Sequence, residues 1–486
     1  MRLSELFREV EFDGSIKNDA DINLVTDDSR LVRPGSLFVC IRHRSFDGHT
    51  AALDALASGA AAVVTQDRLG LENELRVADS RSAYARLCAA LCNHPERKLR
   101  LIGVTGTNGK TTVTTLIRNI LSDSGTKTLL TGTVCNRLGD ENLPSGLTTP
   151  KPPELYSLLS RAVSQRCKAC VMEASSQALA QGRLEGIDFD AAVFTNITRD
   201  HLDYHGTFEN YISAKKKLFE HSALSIVNLD DPRANEIIAA SKGKIITFST
   251  VLDCADYTAK NISLLSDCVR FELVSKGHIE HIEFASPGLF SVSNAMAAAV
   301  CAINLGIEPK DAAQSLAKSK SVCGRLERVE CSAPYSVIID YAHTPDGLEQ
   351  VLRALRPSCR GKLIALFGCG GDRDRTKRPL MGAAACKYAD KIIVTSDNPR
   401  SEDPTKIIGD ILKGTDKKRR DLFVEPDRRK AIALALKTAE PGDTVLLAGK
   451  GHEKYQLIGG EKLPLDERET VRKILGLPHD TGRKKQ

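Results

Sequence analysis

The chain has 486 residues, of which 42% are hydrophobic and 27% are charged, the composition of an ordinary globular protein. This length predicts about three domains, each able to bury a core. The formal net charge of +6 is small for such a length and argues against a nucleic-acid-binding protein, and no apolar run is long enough to span a membrane.

The amino-terminal stretch MRLSELFREVEFDG is charged throughout and lacks the apolar core of a signal peptide. The 14 cysteines show no disulfide or zinc spacing, and we interpret Cys167 and Cys170, the single CxxC pair, as core thiols. The basic stretch 413–430 and the tail Arg483-Lys484-Lys485 are interpreted as solvated surface. We therefore expect a cytoplasmic protein with neither a nucleic-acid partner nor a membrane partner.

Residues 1–98 are predicted to form a small α/β domain. Short strand-like runs, such as 37–41, alternate with polar turns and with the helical segment AALDALASGA. Ser29 and Arg30 lie in one of these turns, DSR, and another turn reads DGH. By themselves these segments are only turns.

The stretch LIGVTGTNGKTTVTT opens the second predicted domain, residues 99–323. An apolar strand leads into a loop with three glycines, and Lys110, Thr111 and Thr112 then begin a helix. Backbone N–H groups of such a loop can approach phosphates, the lysine reaches the β and γ oxygens, and a hydroxyl holds Mg²⁺. Val104 stands where the usual pattern has glycine, but the flanking strand and helix favour a nucleotide site over an ordinary turn.

Alternating strand and helix signals continue to about residue 231, which predicts a largely parallel sheet, and the stretch 251–284 predicts antiparallel hairpins at its edge. Glu173 ends one strand, and the loop after another strand carries Asp200 and His201. Both ends would lie where a γ-phosphate and its metal ions bind. For Glu173 alone, a hydrogen-bonded core carboxylate is the alternative.

One predicted helix of this domain carries three consecutive lysines. Its apolar face is formed by Tyr211, Ala214, Lys215, Leu218 and Phe219, so only the first lysine lies on that face and the other two are expected in solvent. Burial lowers the pKa of a lysine, and a neutral amine can react with CO₂ to give a metal-binding carbamate. A lysine whose ammonium reaches water along the helix surface is the alternative.

Residues 324–486 are predicted to form a third domain around another parallel sheet. Four strands are each followed by an unusual polar loop: DYAHTPD, FGCGGDRD, TSDNPR and AGKGHE. Because the carboxyl ends of parallel strands meet at one edge, these loops should share one ligand crevice. Arg373, Arg400 and Glu453 would there form a receptor for carboxylate and amine groups, although DNPR taken alone is equally compatible with a plain turn.

The ordered motifs resemble the Mur ligases, in particular those that add the third amino acid to the peptidoglycan precursor. DSR and DGH lie in the first domain, GTNGKTT, TTP, MEASS, TRDHLDYHG and the lysine helix in the second, and GRLERV and the four polar loops in the third. The resemblance covers nearly the whole chain. It implies a three-domain α/β architecture with an N-terminal UDP-substrate-binding domain, a central ATP-binding P-loop domain and a C-terminal Rossmann-like domain that binds the amino acid.

The resemblance also implies a reaction. ATP, with Mg²⁺, would convert the glutamyl carboxylate of UDP-MurNAc-L-Ala-D-Glu into an acyl phosphate, and meso-diaminopimelate would displace the phosphate; the enzyme would be a cytoplasmic monomer. The implied catalytic residues are Lys110, Glu173, His201 and a carbamylated Lys215, and the implied metal site comprises Thr111, Glu173, His201 and Lys215.

The implied ligand contacts fall into three groups. Those for ATP are Gly106, Thr107, Asn108, Gly109, Lys110, Thr111, Thr112, Asn294, Arg325 and Asp340. Those for the UDP-muramoyl dipeptide are Ser29, Arg30, Thr148, Thr149, Ser175, Gln181 and Arg183. Those for diaminopimelate are Arg373, Asp397, Asn398, Pro399, Arg400, Gly449 and Glu453.

Two positions depart from the family pattern, each affecting a single ligand contact: Gln177 stands where the family has histidine, and Ser291 stands where it has asparagine. One alternative is an L-lysine-adding Mur ligase. Another is a folylpolyglutamate synthase, which shares the glycine loop and lysine helix but lacks a first domain with DSR. A nucleic-acid-dependent ATPase is an alternative from another class, disfavoured by the small charge and by the 14 Phe and 9 Tyr without a basic-aromatic pattern.

Overall fold

The structure is a computed structural model, and it describes residues 1–43, 46–416 and 419–478. The tail Arg483-Lys484-Lys485 and residues 417–418 of the basic stretch lie outside the described residues. In the described part of the chain, no helix combines the length and apolar character needed to cross a membrane.

The amino-terminal part is built on a parallel sheet of four strands in the order β1-β2-β3-β4. Its elements are α1 (Leu3–Leu6), β1 (Leu24–Thr26), β2 (Ser36–Val39), α2 (Ala52–Ala57), β3 (Ala60–Thr65), β4 (Glu74–Arg76) and α3 (Ser80–Leu91). The DSR and DGH turns are short 3₁₀ helices, because the side chains of Asp28 and Asp47 accept the backbone N–H groups of Arg30 and His49.

The central part is an 11-stranded sheet in the order β15-β14-β13-β12-β11-β10-β5-β9-β6-β7-β8. Its strands are β5 (Arg100–Thr105), β6 (Thr128–Thr131), β7 (Asn136–Leu138), β8 (Glu141–Leu143), β9 (Ala169–Glu173), β10 (Ala191–Phe194), β11 (Leu224–Asn228), β12 (Lys244–Ser249), β13 (Tyr257–Leu264), β14 (Val269–Ser275) and β15 (His278–Phe284). Its helices are α4 (Lys110–Asp123), α5 (Pro152–Ser164), α6 (Ser176–Ala180), α7 (Leu202–His205), α8 (Phe208–Glu220), α9 (Ala234–Ala240), α10 (Leu289–Asn304) and α11 (Pro309–Lys318).

Strands β5 and β9 to β12 pair in parallel, whereas β13 to β15 form antiparallel hairpins at one edge, which confirms both predictions for this sheet. A second antiparallel extension, β7 and β8, lies at the other edge and was not predicted. The inner strands are buried on both faces, so they read as continuous apolar runs. Helix α10 is apolar nearly all round and packs into the same core as α4.

The carboxyl-terminal part is a six-stranded sheet in the order β16-β17-β21-β18-β19-β20, followed by a two-stranded hairpin. Its elements are β16 (Glu327–Arg328), β17 (Ser336–Asp340), α12 (Pro345–Leu355), β18 (Leu363–Phe367), α13 (Lys377–Tyr388), β19 (Lys391–Val394), α14 (Pro404–Leu412), β20 (Leu422–Val424), α15 (Arg428–Lys437), β21 (Thr444–Ala448), β22 (Tyr455–Ile458), β23 (Glu461–Pro464) and α16 (Glu467–Ile474). The four polar loops follow the parallel strands β17, β18, β19 and β21, and therefore lie at one edge as predicted.

Two interpretations of the basic residues need correction. Arg428 is 1% exposed, not solvated, because α15 begins against the sheet and the Arg428 Nε–H donates to Glu467 Oε1 at 2.8 Å. Lys216 is half-buried and pairs with Glu236 at 3.0 Å, since α9 packs beside α8. Cys167 and Cys170 are buried, as predicted for core thiols.

The strands of the three large sheets fall within residues 24–76, 100–284 and 327–448, and the two-stranded hairpin follows the third. The domain boundaries, 1–98, 99–323 and 324–486, stay predictions.

Candidate active site

The glycine loop connects the end of β5 to the start of α4. Gly106 and Gly109 have φ values of +152° and +89°, and a Cβ atom at either position would collide with a side chain, Thr195 and Asn294 respectively. The Asn108 backbone N–H donates to Asn196 Oδ1 at 3.0 Å. The loop is therefore held close against β10 and α10, with the amino terminus of α4 at its end.

Two lysine amines meet at this loop, the half-buried Lys110 and the fully buried Lys215. Lys110 Nζ donates to the carbonyl oxygens of Gly106 and Thr107, both at 2.8 Å, and Lys215 Nζ donates to the same Gly106 oxygen at 2.8 Å. Lys215 is 1% exposed, with its amine 4.7 Å from the centre of the Tyr211 ring. Burial, and then the positive charge of Lys110, lower the pKa of Lys215 well below its ordinary value. The predicted burial of Lys215 is confirmed.

Glu173 is the last residue of β9 and is 1% exposed. Its carboxylate accepts hydrogen bonds from the hydroxyl of Thr111 at 3.0 Å, from the backbone N–H of Thr133 at 2.8 Å and from the hydroxyl of Thr133 at 2.9 Å. These contacts satisfy the carboxylate in the buried site. They also bring two predicted metal ligands, the Thr111 hydroxyl and the Glu173 carboxylate, within hydrogen-bonding distance of each other.

His201 immediately precedes α7, as its N-cap residue, and has a left-handed φ of +53°. Its Nε2 lies 3.4 Å from Asp200 Oδ2, and burial lowers the pKa of His201 to about 4. Burial alone would raise the pKa of Asp200, but the charges of His201, Lys377 and His343 hold it below its ordinary value. His343 and Lys377 come from the carboxyl-terminal part, with contacts to Asp200 of 3.9 Å each, so this carboxylate lies at the junction of two domains.

Further contacts join the two sides of this junction. Arg325 donates to the Thr111 hydroxyl at 3.0 Å and stacks 4.6 Å from the Tyr341 ring. Asn108 Nδ2 donates to Asp346 Oδ2 at 3.1 Å. The carboxylate of Asp340 accepts the backbone N–H groups of Ala342, in the following loop, and of Leu326, just before β16, and burial raises the pKa of Asp340.

One cavity of about 640 Å³ collects most of these groups. The predicted ATP and catalytic residues that line it are Gly106, Thr107, Asn108, Gly109, Lys110, Thr111, Thr112, Glu173, His201, Lys215, Asn294, Arg325 and Asp340. Thr148 and Ser175 line it as well. The arrangement places two cations, a carboxylate and a helix amino terminus around a space large enough for a nucleotide, and such a set suits the transfer of a phosphoryl group.

The residues predicted to hold the dipeptide are partly assembled. The Thr149 hydroxyl donates to the Glu173 carbonyl at 2.6 Å, and its oxygen lies 3.1 Å from Ser175 Oγ. Arg183 donates to the Thr149 carbonyl at 2.7 Å and to Gln181 Oε1. The hydroxyl oxygens of Thr148 and Thr133 lie 3.0 Å apart. By contrast, the lining of the cavity does not include Ser29 or Arg30; Arg30 is 86% exposed and pairs with Asp28.

The residues predicted to bind diaminopimelate lie in three neighbouring loops. Asn398 donates to Glu453 Oε2 at 3.0 Å, and Arg400 donates to the Gly371 carbonyl at 2.6 Å. Arg400 has a left-handed φ of +54°; burial, and then the charge of Arg373, lower its pKa. Gly449 has a φ of +111°, and a Cβ atom there would lie 2.5 Å from Asp397 Oδ2. Pro399 packs against Gly371 by its backbone.

Several functional candidates were missed by sequence reasoning. Thr133, Tyr341, Lys377 and Lys450 contact predicted site residues, yet none was proposed. For two of them the sequence does contain a feature that indicates a site residue. Thr133 follows a glycine at the end of a strand, and Lys450 stands three residues before Glu453 in the AGKGHE motif.

Comparisons with known proteins agree with this geometry. Successive parts of the chain match the descriptions "Mur ligase family, catalytic domain" at residues 21–90, "Mur ligase middle domain" at 104–302 and "Mur ligase, glutamate ligase domain" at 324–451. A relative from Caldanaerobacter subterraneus subsp. tengcongensis, named UDP-N-acetylmuramoyl-L-alanyl-D-glutamate--2,6-diaminopimelate ligase, is 43% identical over 479 residues, covering 98% of this chain and 99% of its own length. The chain belongs to the Mur ligase family.

Two further proteins extend the comparison for this Mur ligase. A relative of the same name from Syntrophomonas wolfei is 42% identical over 487 residues, covering 98% of this chain and 99% of its own. A solved structure of a ligase of that name superposes with a TM-score of 0.71 at 35% identity, covering 98% of this chain and 99% of its own. The resemblance and the α/β architecture predicted from the motifs are confirmed. Mur ligases use ATP and act on small-molecule substrates.

Among the described residues, no group of three or more His, Cys, Asp or Glu side chains is placed to hold a metal ion. Magnesium does not need such a group, because it commonly binds one or two carboxylates together with phosphate oxygens and water. The Thr111 hydroxyl beside the Glu173 carboxylate, at the amino terminus of α4, is an oxygen donor set of that kind. The residues present therefore fit Mg²⁺ held jointly with a nucleotide.

Proposed function

We propose that this Mur ligase joins meso-diaminopimelate to UDP-N-acetylmuramoyl-L-alanyl-D-glutamate at the expense of ATP. The observation that carries the proposal is the junction of two half-sites. Lys110, Glu173 and Lys215 surround the glycine loop, while the loops with Arg400 and Glu453 follow strands of the carboxyl-terminal sheet. The relatives above bear the name of this diaminopimelate ligase.

The reaction has two steps. An oxygen of the glutamyl side-chain carboxylate attacks the γ-phosphorus of ATP, the bond to ADP breaks, and an acyl phosphate forms. The amine of diaminopimelate, having given up a proton, then attacks the acyl carbon, and the bond to phosphate breaks as the amide forms. Because every partner in the first step is negatively charged, the protein's main tasks are neutralisation and alignment.

Lys110 is proposed to leave its loop carbonyls and neutralise the β and γ phosphates, and Arg325 to reach the nucleotide from the carboxyl-terminal side. Thr111 and Glu173 would hold Mg²⁺, which supplies further charge neutralisation when bound. His201 is proposed to join this site through its unprotonated ring, the form favoured because burial lowers the pKa of His201 to about 4.

Lys215 is proposed to carry a carbamate. Its nitrogen would attack the carbon of CO₂ and lose a proton, so that a cation becomes an anion beside the glycine loop. Burial favours the neutral amine that this step requires. The resulting anion would offset the charge of neighbouring Lys110.

The remaining specific contacts are proposals from the family resemblance. Thr148, Thr149, Ser175, Gln181 and Arg183 would hold the muramoyl dipeptide, with Ser29 and Arg30 toward the uridine diphosphate. Arg373, Asp397, Asn398, Pro399, Arg400, Gly449 and Glu453 would hold diaminopimelate. We further propose that the enzyme works as a monomer in the cytoplasm.

A ligation assay tests this function directly. Purified protein is incubated with ATP, Mg²⁺ and the UDP-muramoyl dipeptide, and meso-diaminopimelate is compared with L-lysine by the mass of the product and by ADP release. Product with diaminopimelate and little with lysine is expected. Comparable kcat/KM for lysine would favour the lysine-adding ligase, whereas ligation of glutamate to a folate would favour a folylpolyglutamate synthase.

A further inference from the structure

A buried lysine without an assigned role lies in the carboxyl-terminal crevice. The Lys450 side chain is 0% exposed, and its Nζ donates to Glu453 Oε2 at 2.6 Å and to Asn398 Oδ1 at 2.8 Å. Asn398 Nδ2 donates to the same Glu453 oxygen at 3.0 Å. The three side chains, called the Lys450 triangle below, form a closed hydrogen-bonded set.

The Lys450 triangle connects loops that are not neighbours in the sheet. Asn398 follows β19 and Glu453 follows β21, and β18 lies between these two strands. The Leu457 backbone N–H also donates to Asn398 Oδ1 at 3.0 Å, which ties the β22–β23 hairpin to the same point. Hydrogen bonds with an ionised donor are shorter and stronger than neutral ones, so the ammonium fixes this junction.

Fold stability alone is a weak reason for such a lysine. Taking an ammonium out of water is costly, and well-packed apolar residues commonly stabilise a core as well as a buried ion pair does. Lys450 contacts two of the residues proposed to bind the amino-acid substrate, and Asp397, a third, lies 3.9 Å from its amine. The buried ammonium of Lys450 therefore lies among the residues proposed to bind the amino-acid substrate.

We propose that Lys450 is a positioning residue that sets the choice of amino acid, an inference that rests on the proposed function. It aims Asn398 and Glu453 into the crevice. It also puts a positive charge beside Glu453. This charge disfavours a substrate whose side chain carries an ammonium group but no carboxylate. Diaminopimelate brings a second carboxylate that Arg400 can bind, whereas L-lysine has no group to compensate.

The test compares Lys450→Met, which keeps the side-chain length and removes the charge, with Lys454→Met as a matched control. Lys454 lies in the same loop but is 72% exposed and pairs with Asp466 at 3.4 Å. K450M should lower kcat/KM for diaminopimelate by about 10- to 100-fold, the effect of losing hydrogen bonds to charged groups. The ratio of kcat/KM for diaminopimelate to that for L-lysine should fall, with KM for ATP and for the UDP-dipeptide unchanged. K454M should behave like wild type.

An unchanged ratio of kcat/KM for diaminopimelate to that for L-lysine in K450M would overturn the proposal. Equal losses of kcat/KM for diaminopimelate, ATP and the UDP-dipeptide would also overturn it, because they indicate a structural role. Should K450M lack a cooperative thermal transition, the double variant K450M/E453Q, which also removes the carboxylate charge that pairs with Lys450, is compared with E453Q. Lower selectivity in the double variant supports the role of Lys450, and equal selectivity rejects it. If wild-type enzyme itself fails to use diaminopimelate, the proposed function is wrong instead.

Discussion

Lys215 offers the sharpest test of the central site. It is 1% exposed and donates to the Gly106 carbonyl at 2.8 Å, and its other polar neighbour, Thr105 Oγ1, lies at 3.4 Å. No carboxylate balances its charge at hydrogen-bonding distance in these contacts. A carbamate at this position would act on phosphates through the metal ions, whereas an ordinary ammonium would add to the charge of Lys110.

The perturbation is Lys215→Met, which keeps most of the side-chain volume, together with Lys215→Ala, which leaves room for a small anion. Loss of one preorganised charged group costs about 10²- to 10³-fold in kcat. We expect at least that loss in both variants. Short-chain carboxylic acids should partly restore Lys215→Ala, because they return an anion to the vacated space, and should not restore Lys215→Met.

The neighbouring lysines supply matched controls. Lys217 is exposed, and Lys216 is half-buried, pairs with Glu236 at 3.0 Å and does not line the cavity. Alanine at either position should change stability by less than about 1 kcal/mol and leave kcat unchanged. ADP release measures turnover, and ¹³C NMR of protein equilibrated with ¹³CO₂ detects the carbamate directly. Wild-type turnover in Lys215→Met, or a carbamate signal equal in wild type and Lys215→Met, would refute the reasoning.

Three further predictions concern the other groups of the site. Lys110→Ala and Glu173→Ala should each lower kcat by about 100-fold or more while a cooperative thermal transition persists; near-normal ADP release would reject their roles. Arg400→Lys should lower kcat/KM for diaminopimelate by about 10²- to 10⁴-fold in the ligation assay, because an ammonium cannot replace the planar guanidinium, and a KM for ATP that rises in parallel would contradict this. Burial, and then neighbouring positive charges, lower the pKa of His452 to about 4, so the unfolded chain takes up this proton first, and stability should fall as pH drops from about 6.5 to 4. Urea unfolding across that range should show His452→Gln losing about 1–3 kcal/mol less than wild type, and identical pH profiles would exclude a contribution from His452.

Local sequence patterns predicted much of this molecule. The helical spacing of Tyr211, Lys215 and Phe219 identified which of three lysines is buried, because side chains three or four residues apart share a face. The rule that parallel strands end at one edge correctly grouped the four polar loops of the carboxyl-terminal sheet. Both predictions depend only on residues close in sequence or on a general property of sheets.

What could not be predicted depends on contacts between distant segments. The sheet order places β21 between β17 and β18, although it is the last of the four strands in the chain. In this strand order Arg428 is buried. It donates to the carbonyls of Ser396 and Ala448, at 3.3 and 2.7 Å, where two of the predicted site loops begin. Within the sequence it is one basic residue among many. Its burial follows from the approach of Glu467, 39 residues later.

The contacts between the central and carboxyl-terminal parts would combine the two half-reactions of the proposed function. Arg325 reaches Thr111, Asp346 accepts from Asn108, and His343 and Lys377 approach Asp200. Each pair joins a loop beside the proposed nucleotide site to a segment of the carboxyl-terminal part.

An acyl phosphate exposed to water would hydrolyse, so the amine has to be held nearby when the phosphate is transferred. In this arrangement, the contacts that complete the proposed nucleotide site are the same contacts that bring the proposed amino-acid loops alongside it. The proposed function thereby couples phosphoryl transfer and delivery of the amine to one domain arrangement.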